Sequence, residues 1–103
     1  MNKYRAVKTI VDSISFHSRK EAARYRDLRL LELAGKIHSL NLQTAYRLEV
    51  NGILICKYLA DFVYFDNDLQ KWVCEDVKGI RTPIYRIKQK LMRAIHGIEI
   101  LET

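Results

Sequence analysis

The middle of the chain alternates between apolar and polar residues, a pattern typical of β-strands that bury one face. The alternation predicts a first strand over residues 42–50, a second over 53–65 and a third over 71–78. Asn51-Gly52 is a strong signal for a two-residue hairpin between the first two strands. The polar residues 66–68 predict the next turn. The pattern therefore indicates three consecutive strands paired as an antiparallel meander.

The segment before these strands predicts a helix. Ser18 and Glu21 form a capping-box pattern, in which the serine side chain accepts a hydrogen bond from the backbone three positions later. Good helix formers follow over residues 22–34, and Gly35 supplies a stop. Residues 9–16 alternate only weakly, which leaves a short hairpin and an extended lead-in as alternatives.

A second helix is predicted after the meander. Thr82 and Pro83 are typical of the N-cap and first position of a helix, and Gly97 is a typical end. We expect the buried face to follow helical spacing, with Lys88 and Lys90 to the side. The apolar residues at that spacing are Ile84, Ile87, Leu91 and Ile95.

The order of these elements defines the expected fold class. A helix, three strands, a helix and a last strand over residues 98–101 predict an α/β fold with a mixed α+β sheet. A helical crossover returns the last strand parallel to a neighbour, so the sheet combines an antiparallel meander with one parallel strand. The second strand is long, so we expect a bulge near Cys56 or Lys57. We expect a single domain over residues 1–103, with residues 1–8 as a flexible basic arm.

Composition narrows the classes of function. The 103 residues carry 18 Lys and Arg against 12 Asp and Glu, a net charge of +6 that favours a polyanionic partner. No apolar run is long enough to cross a membrane and the basic start is unlike a signal peptide, so we expect a cytoplasmic protein without a membrane partner. Cys56 and Cys74 lack any metal-binding spacing, and we expect both to be reduced.

Charged residues at strand positions are the candidates for chemistry. Asp61 lies in the most apolar strand, where a lone carboxylate is expensive to bury without a partner or a metal. Asp76 and Lys78 point to one side of the third strand, whereas Glu75 points to the other, where we expect it to pair with a basic side chain. A hairpin loop over residues 67–70 places Asp61 opposite Asp76. These two carboxylates would repel each other, so they require a cation near them.

The element order and these charges resemble the core of the PD-(D/E)XK nuclease superfamily. That core has an acidic residue at the start of its first helix, an Asp on its second strand, and an acidic-x-Lys motif on its third. Here those positions are Glu21, Asp61 and Asp76-Val77-Lys78. The segments 16–22, 60–62 and 75–79 look like those of a small phage-associated family of unknown function related to Holliday-junction resolvases. Ala60 replaces the Pro of the superfamily motif, at a position that is degenerate in the superfamily.

The resemblance implies a magnesium-dependent endonuclease that hydrolyses phosphodiester bonds in DNA, with Mn²⁺ able to substitute for Mg²⁺. Asp61 and Asp76 would bind the metal directly, with the Val77 carbonyl as a third ligand. Glu21 would hold a second ion or bind through water, and its capping role is the structural alternative. Lys78 would orient or deprotonate the attacking water, or offset charge on the phosphate.

The basic residues indicate where DNA would bind. From Lys78 to Arg93 there are six basic residues and no acidic one. The candidate DNA contacts are Arg19, Lys20, Gln43, Arg81, Tyr85, Lys88 and Lys90. For Gln43 and Tyr85, an ordinary structural role is the alternative. The kinship suggests that the substrate is branched or double-stranded DNA in phage recombination or replication, and hence that the protein acts in the host cytoplasm. Symmetric cutting of two strands requires two sites, so for a chain this small we expect a homodimer.

Two other classes of function are also compatible with the sequence. A nucleic-acid-binding protein without catalytic activity would keep the basic face and use the acidic cluster structurally. A phage structural or host-interaction protein would present its basic face to an acidic partner. The opposed carboxylates favour the nuclease, because like charges directly opposite each other destabilise a sheet.

Overall fold

A computed structural model describes residues 7–103, which form six strands, two α-helices and one π-helical turn. The strands are β1 (Thr9–Val11), β2 (Ile14–Phe16), β3 (Ile37–Val50), β4 (Ile53–Asp66), β5 (Lys71–Asp76) and β6 (Ile100–Glu102). The helices are α1 (Arg19–Leu33) and α2 (Pro83–Leu91), and α2 continues into a π-helical turn over Met92–His96. Most of the expected basic arm, residues 1–6, lies outside the described part of the chain.

Four strands form one mixed sheet in the order β3-β4-β5-β6. The first three pair antiparallel, and β6 pairs parallel to β5 after the crossover through α2. β1 and β2 form a separate two-stranded hairpin, so the weak alternation over residues 9–16 belongs to a hairpin and not to an extended lead-in. The predicted α+β sheet, with its antiparallel meander and parallel last strand, is confirmed.

The strand pairing confirms the predicted turns and places the bulge. Asp66 lies opposite Lys71, as a loop over residues 67–70 requires. Leu48 pairs with Cys56, but the pairing has shifted by one residue at the next step, which leaves Ile55 as the extra residue of a bulge. The bulge is therefore adjacent to the predicted position at Cys56.

The two helices cover opposite faces of the sheet. Val73 of β5 packs in a buried cluster with Leu28 of α1. The next residue, Cys74, packs in a second cluster with Met92 from the turn that follows α2. Because consecutive strand residues point to opposite faces, this division places α1 on one side of β5 and α2 on the other.

The buried face of α2 differs from the predicted one. Ile84 and Ile87 are 67% and 58% exposed, so the prediction was wrong for both, although the later two of the four predicted positions are partly buried. The core is filled instead by Tyr85 and Met92. Residues seven apart also share a helix face, so spacing alone does not choose between the two faces. Two exposed isoleucines therefore remain on the outer side of α2.

A buried ion pair joins α1 to the face of β5 that lies away from Asp76. The carboxylate of Glu75 is fully buried and accepts two hydrogen bonds from the Arg24 guanidinium, at 2.6 and 2.9 Å. It also accepts from the hydroxyl of Tyr64 at 2.7 Å and from that of Thr103 at 3.1 Å. The bond to Glu75 raises the pKa of Arg24 above its ordinary value. The basic partner expected for Glu75 is therefore Arg24.

We predict that Arg24→Ala destabilises the fold by about 2–3 kcal/mol, because it leaves the Glu75 carboxylate buried without its cation. The matched control is Arg29→Ala on the same helix, which removes an exposed pair with Glu32 and should cost about 0.5 kcal/mol or less. Urea denaturation measures both free energies of unfolding. Equal losses in the two variants would contradict a structural role for the Arg24–Glu75 pair.

Candidate active site

Asp61, Asp76 and Lys78 meet where β5 ends beside the middle of β4. The paired register of these strands ends with Phe62 opposite Glu75, so Asp61 and Asp76 occupy its next position. The Lys78 ammonium lies 3.0 Å from Oδ2 of Asp76. The fold thus brings together the three charged residues that the sequence singled out.

Asp61 lies at a break in the pairing between β3 and β4. The pairing skips Gln43, the residue facing Asp61, and Gln43 has a left-handed backbone with a φ of 53°, which is uncommon for a residue with a side chain. Ala60 packs on the α2 side and Phe62 on the α1 side, whereas strict alternation would place both on one face. Asp61 accepts hydrogen bonds from Gln43 Nε2 at 3.3 Å and from the Val77 backbone N at 2.8 Å. The break therefore holds its carboxylate at the end of β5.

Asp76 is buried among groups that act on its charge in opposite directions. The Tyr58 hydroxyl donates to Oδ2 of Asp76 at 2.6 Å, and the Lys78 ammonium contacts the same oxygen. Burial raises the pKa of Asp76 to about 7, and the neighbouring Asp61 carboxylate adds to the rise, whereas Tyr58 and Lys78 oppose it. Negative charge in this cavity is therefore only partly compensated by the chain itself.

Lys78 is held by both its side chain and its backbone. Its ammonium lies 3.7 Å from the centroid of the Tyr85 ring, within the range of a cation–π interaction. Its backbone N donates to the carbonyl of Thr103 at 3.0 Å, and its carbonyl accepts from Lys20 Nζ at 2.8 Å. The Tyr85 hydroxyl is buried near Glu102 without a hydrogen bond of standard geometry. These contacts fix the position of the Lys78 ammonium at the site.

Glu21 lines the same cavity from the start of α1. The cavity measures about 210 Å³, and its lining residues are His17, Ser18, Glu21, Asp61, Asp76, Val77 and Lys78. The predicted cap is confirmed, since the Ser18 hydroxyl accepts from the Glu21 backbone N at 3.1 Å, and the Glu21 carboxylate lies 3.7 Å from His17 Nδ1. Within residues 7–103, no three His, Cys, Asp or Glu side chains are close enough together to share a metal ion. Glu21 therefore shares the cavity without joining the two aspartates in one cluster.

The aspartate pair fits a magnesium ion that keeps most of its water. Mg²⁺ in proteins is usually held through one or two carboxylates, with water and phosphate oxygens completing its six ligands. Asp61 and Asp76 supply two neighbouring carboxylates, and the raised pKa of Asp76 indicates that added positive charge would be favourable there. The Val77 peptide adjoins the pair through its bond to Asp61, and its carbonyl as a ligand stays a prediction.

Four of the predicted DNA contacts have structural partners or are buried. Lys20 donates to a backbone carbonyl, and Gln43 donates to Asp61. Arg81 pairs with Glu102, its guanidinium N lying 2.9 Å from a carboxylate oxygen. Tyr85 is buried beneath the Lys78 ammonium, which agrees with the packing role that was its alternative. One member of the basic run, Arg81, is thus neutralised by Glu102 of β6, which lies outside the run in sequence.

The remaining predicted DNA contacts are Arg19, Lys88 and Lys90. Arg19 and Lys90 are exposed, and Lys88 is half-buried. Lys88 lines a second, larger cleft of about 440 Å³ that lies between β4 and α2 and opens beside the aspartates. Positive charge therefore continues from the aspartate cavity along α2.

Sequence reasoning missed Tyr58, which holds Asp76 through the shortest hydrogen bond in the site. Alternation along β4 predicts that residues 58 and 61 point to opposite faces. The break in the pairing at Asp61 brings the side chains of residues 58 and 61 to the same site. No sequence signal marks the break, because Gln43 is not a residue type expected at positive φ. Thr103 was also missed, since its bonds to both Glu75 and the peptides around Asp76 depend on how β6 docks.

The fold and the site define an α+β protein with two carboxylates and a lysine gathered at one end of a mixed sheet. A family model matches residues 1–98, and the chain belongs to that family, the proteins of unknown function DUF1064. Searches of curated proteins and of solved structures found no significant match. None of the helices formed by residues 7–103 is long and apolar enough to span a membrane.

We predict that the Asp76 carboxyl contributes less stability to the metal-free protein as the pH rises from about 4 to 8. The folded-state pKa of Asp76 is about 7, above the ordinary value for an aspartate, so the folded state binds this proton more tightly than the unfolded state. The stabilisation that this bound proton gives to the folded state is fully present below about pH 4 and is lost as the pH rises through 7. Asp76→Asn should therefore exceed wild type by on the order of 2 kcal/mol at pH 8 and by much less at pH 4.

Urea denaturation in EDTA at several pH values measures the difference in the free energy of unfolding between Asp76→Asn and wild type. Both proteins keep Asp61, Tyr58 and Lys78. The control is Asp27→Asn, which removes an exposed carboxylate of α1 and should follow wild type at every pH. If the gap between Asp76→Asn and wild type stayed constant between pH 4 and 8, the raised pKa would be wrong.

Proposed function

We propose that this protein is a metal-dependent DNA endonuclease of the PD-(D/E)XK type. The observation that carries the proposal is the meeting of Asp61, Asp76 and Lys78 in one cavity, from two different strands and the loop that follows. Neighbouring carboxylates in a partly dry site cost stability, since their like charges repel. Such arrangements are enriched where the charges take part in chemistry.

Each residue of the cavity has a role in this proposal. Asp61 and Asp76 would hold Mg²⁺, or Mn²⁺ in its place, and Glu21 would act through water or on a second ion. When bound, the ion supplies positive charge to the phosphate and lowers the pKa of a water molecule. Hydrolysis forms one P–O bond to the water oxygen and breaks the P–O bond to the leaving sugar oxygen. Lys78 would orient or deprotonate that water, or offset the phosphate charge.

The proposed substrate is branched or double-stranded DNA, in phage recombination or replication. The support for a DNA partner is the net charge of +6 and the basic residues that continue along α2 from the site. The preference for branched DNA rests on the resemblance to Holliday-junction resolvases alone. The resemblance to the PD-(D/E)XK core rests on the order of elements together with the positions of Glu21, Asp61 and Asp76-Val77-Lys78.

We predict Mg²⁺-dependent cutting that Asp61→Asn, Asp76→Asn and Lys78→Ala each reduce roughly 100-fold or more, because each removes a charge placed for the transition state. Linear, flap and four-way-junction DNA are incubated with and without Mg²⁺, and cut strands are measured on denaturing gels. Lys71→Ala, which removes an exposed lysine from the other end of β5, is the matched control and should cut like wild type. Metal-dependent cutting that survived both Asp61→Asn and Lys78→Ala would remove this site from consideration.

Lys78→Arg separates the two roles proposed for the lysine. Arginine keeps the positive charge but does not give up its proton in proteins, so it cannot act as a base. Activity well above that of Lys78→Ala would assign Lys78 to charge stabilisation. Activity as low as that of Lys78→Ala would favour proton transfer.

A nucleic-acid-binding protein without catalytic activity is the second candidate, favoured by the lack of a three-residue metal cluster within residues 7–103. Asp76→Asn discriminates between the two. In a pure binding protein, the loss of a negative charge should keep or improve DNA affinity, and there would be no metal-dependent cutting to lose. DNA binding that was absent even at low salt would instead favour a phage structural or host-interaction protein with an acidic partner.

We further propose that the protein is a homodimer, because cutting two strands symmetrically requires two sites. Light scattering coupled to gel filtration should give a mass near twice 12.1 kDa. The exposed apolar residues around the β3–β4 turn, Val50 and Ile53, are a candidate for the contact. Ile53→Ser should then shift the mass towards the monomer, whereas Leu69→Ser at another exposed turn should not. A monomeric wild type across the accessible concentration range would contradict the dimer.

A further inference from the structure

The β3–β4 hairpin extends beyond the part of the sheet that α1 covers. The buried cluster under α1 reaches Leu42 of β3 and Phe62 of β4, which lie opposite each other. Further along the hairpin, Tyr46 and Tyr58 pack in the cluster on the α2 side. The residues that alternate with them therefore point to the α1 side. In their paired order, these residues are Ala45 with Leu59, Arg47 with Lys57, and Glu49 with Leu54.

We call these six residues the open hairpin face, because none of them belongs to either buried cluster of residues 7–103. Five of the six are exposed, and Glu49 is half-buried. The face begins at Leu59, two residues before Asp61 on the same strand. The aspartate cavity is lined by Glu21 from the start of α1, so the cavity opens on the α1 side of the sheet. The open hairpin face therefore continues outward from the proposed site on that side.

Two cations lie directly opposite each other on the open hairpin face. Arg47 of β3 is paired with Lys57 of β4, and like charges in this position destabilise a sheet. The Arg47 guanidinium donates two hydrogen bonds to one carboxylate oxygen of Glu49, at 2.8 and 2.6 Å. Lys57 forms no ion pair within residues 7–103. One carboxylate thus faces two cations, and an anionic partner would compensate the charge of Lys57.

The phosphates of DNA fit this face better than a second copy of the chain does. A symmetric contact between two open hairpin faces would bring two arginines and two lysines together with only two glutamates. Each strand of duplex DNA instead presents one negative charge about every 3.4 Å along the helix axis. Lys57 is four residues from Asp61, about 13 Å along β4. DNA with one phosphate at the aspartates therefore has further phosphates within reach of Lys57.

We propose that the open hairpin face binds the sugar–phosphate backbone of the DNA whose reacting phosphate lies at Asp61 and Asp76. Lys57 contacts one phosphate directly, and Arg47 contacts another in competition with Glu49. The inference rests on the proposed function for its DNA partner. It adds a contact surface on β3 and β4 to the basic residues along α2, and it makes binding depend on charges that lie outside the basic run of the sequence.

The first test removes the charge of Lys57. Binding of a labelled linear duplex is measured by fluorescence anisotropy in EDTA, so that metal-dependent cutting cannot interfere. Lys57→Gln should weaken binding on the order of fivefold at low salt and reduce the dependence of log Kd on log salt by about 1, because one phosphate contact is lost. The matched control is Lys71→Gln, which removes an exposed lysine from the other end of the sheet and should bind like wild type. Both side chains are exposed, so we expect both variants to fold.

The second test predicts a change of opposite sign. Glu49→Gln should strengthen binding on the order of threefold, because a phosphate no longer competes with a carboxylate for the Arg47 guanidinium. Its matched control is Glu32→Gln, which breaks the corresponding pair with Arg29 near the end of α1. This control removes the same charge from the chain but should leave the affinity close to that of wild type.

Equal affinities of Lys57→Gln and Lys71→Gln, or of Glu49→Gln and Glu32→Gln, would overturn the inference. A loss of affinity in Lys57→Gln that accompanied a change from dimer to monomer mass would assign the face to a second copy instead.

These outcomes are distinguishable from failure of the proposed function, which is decided by cutting in Mg²⁺. If wild type failed to cut any DNA but Lys57→Gln and Glu49→Gln shifted its affinity in opposite directions, the nuclease proposal would fall and the binding surface would stand. If wild type cut DNA while all four variants bound it equally, the surface would fall and the nuclease would stand. If wild type did not bind DNA even at low salt, both would fall.

Discussion

The site depends on one electrostatic constraint, which is that the buried Asp76 and the half-buried Asp61 are neighbours. Their repulsion is eased by contacts from several parts of the chain. The Tyr58 hydroxyl and the Lys78 ammonium contact Asp76, whereas Gln43 and the Val77 backbone N bond to Asp61. The pKa of Asp76 is nevertheless raised to about 7, so these contacts compensate the charge only in part. The folded chain therefore retains unfavourable charge repulsion at the place where a bound cation would reduce it.

Two adjacent residues of β5 have different roles on opposite faces of the sheet. Glu75 stabilises the fold on one face, and Asp76 belongs to the proposed site on the other. Glu75 points towards α1, where a two-bond ion pair to Arg24 and two hydroxyl groups satisfy its carboxylate. Asp76 points towards α2 and the cavity. Thr103 serves both, because its hydroxyl donates to Glu75 while its backbone pairs with the peptides around Asp76. The structural ion pair on one face therefore anchors the strand that presents the proposed metal ligand on the other.

Much of this arrangement follows from local sequence signals. The caps at Ser18 and Thr82 specify where each helix begins, and the loop after Asp66 sets the register of β4 against β5. Given that register, alternation alone separates Glu75 from Asp76. These features are predictable because each depends on residues that are close in sequence or directly paired across a hairpin.

Other features depend on tertiary packing, and the sequence did not reveal them. The faces of β4 reverse at Asp61, which lies opposite the left-handed backbone of Gln43 in β3, and this reversal allows Tyr58 to reach Asp76. The helical period of α2 fits two faces, and the larger Tyr85 fills the core in place of Ile84. That choice leaves an aliphatic side chain in the cleft beside the aspartates. The positions where pattern rules fail are thus concentrated around the proposed site.

If the aspartate pair is a metal centre, it binds a divalent ion without substrate, and electron paramagnetic resonance of Mn²⁺ measures that binding directly. We predict saturable Mn²⁺ binding to wild type near neutral pH that Asp61→Asn abolishes and Asp27→Asn leaves intact. Absence of binding to wild type, or equal binding to wild type and Asp61→Asn, would contradict it.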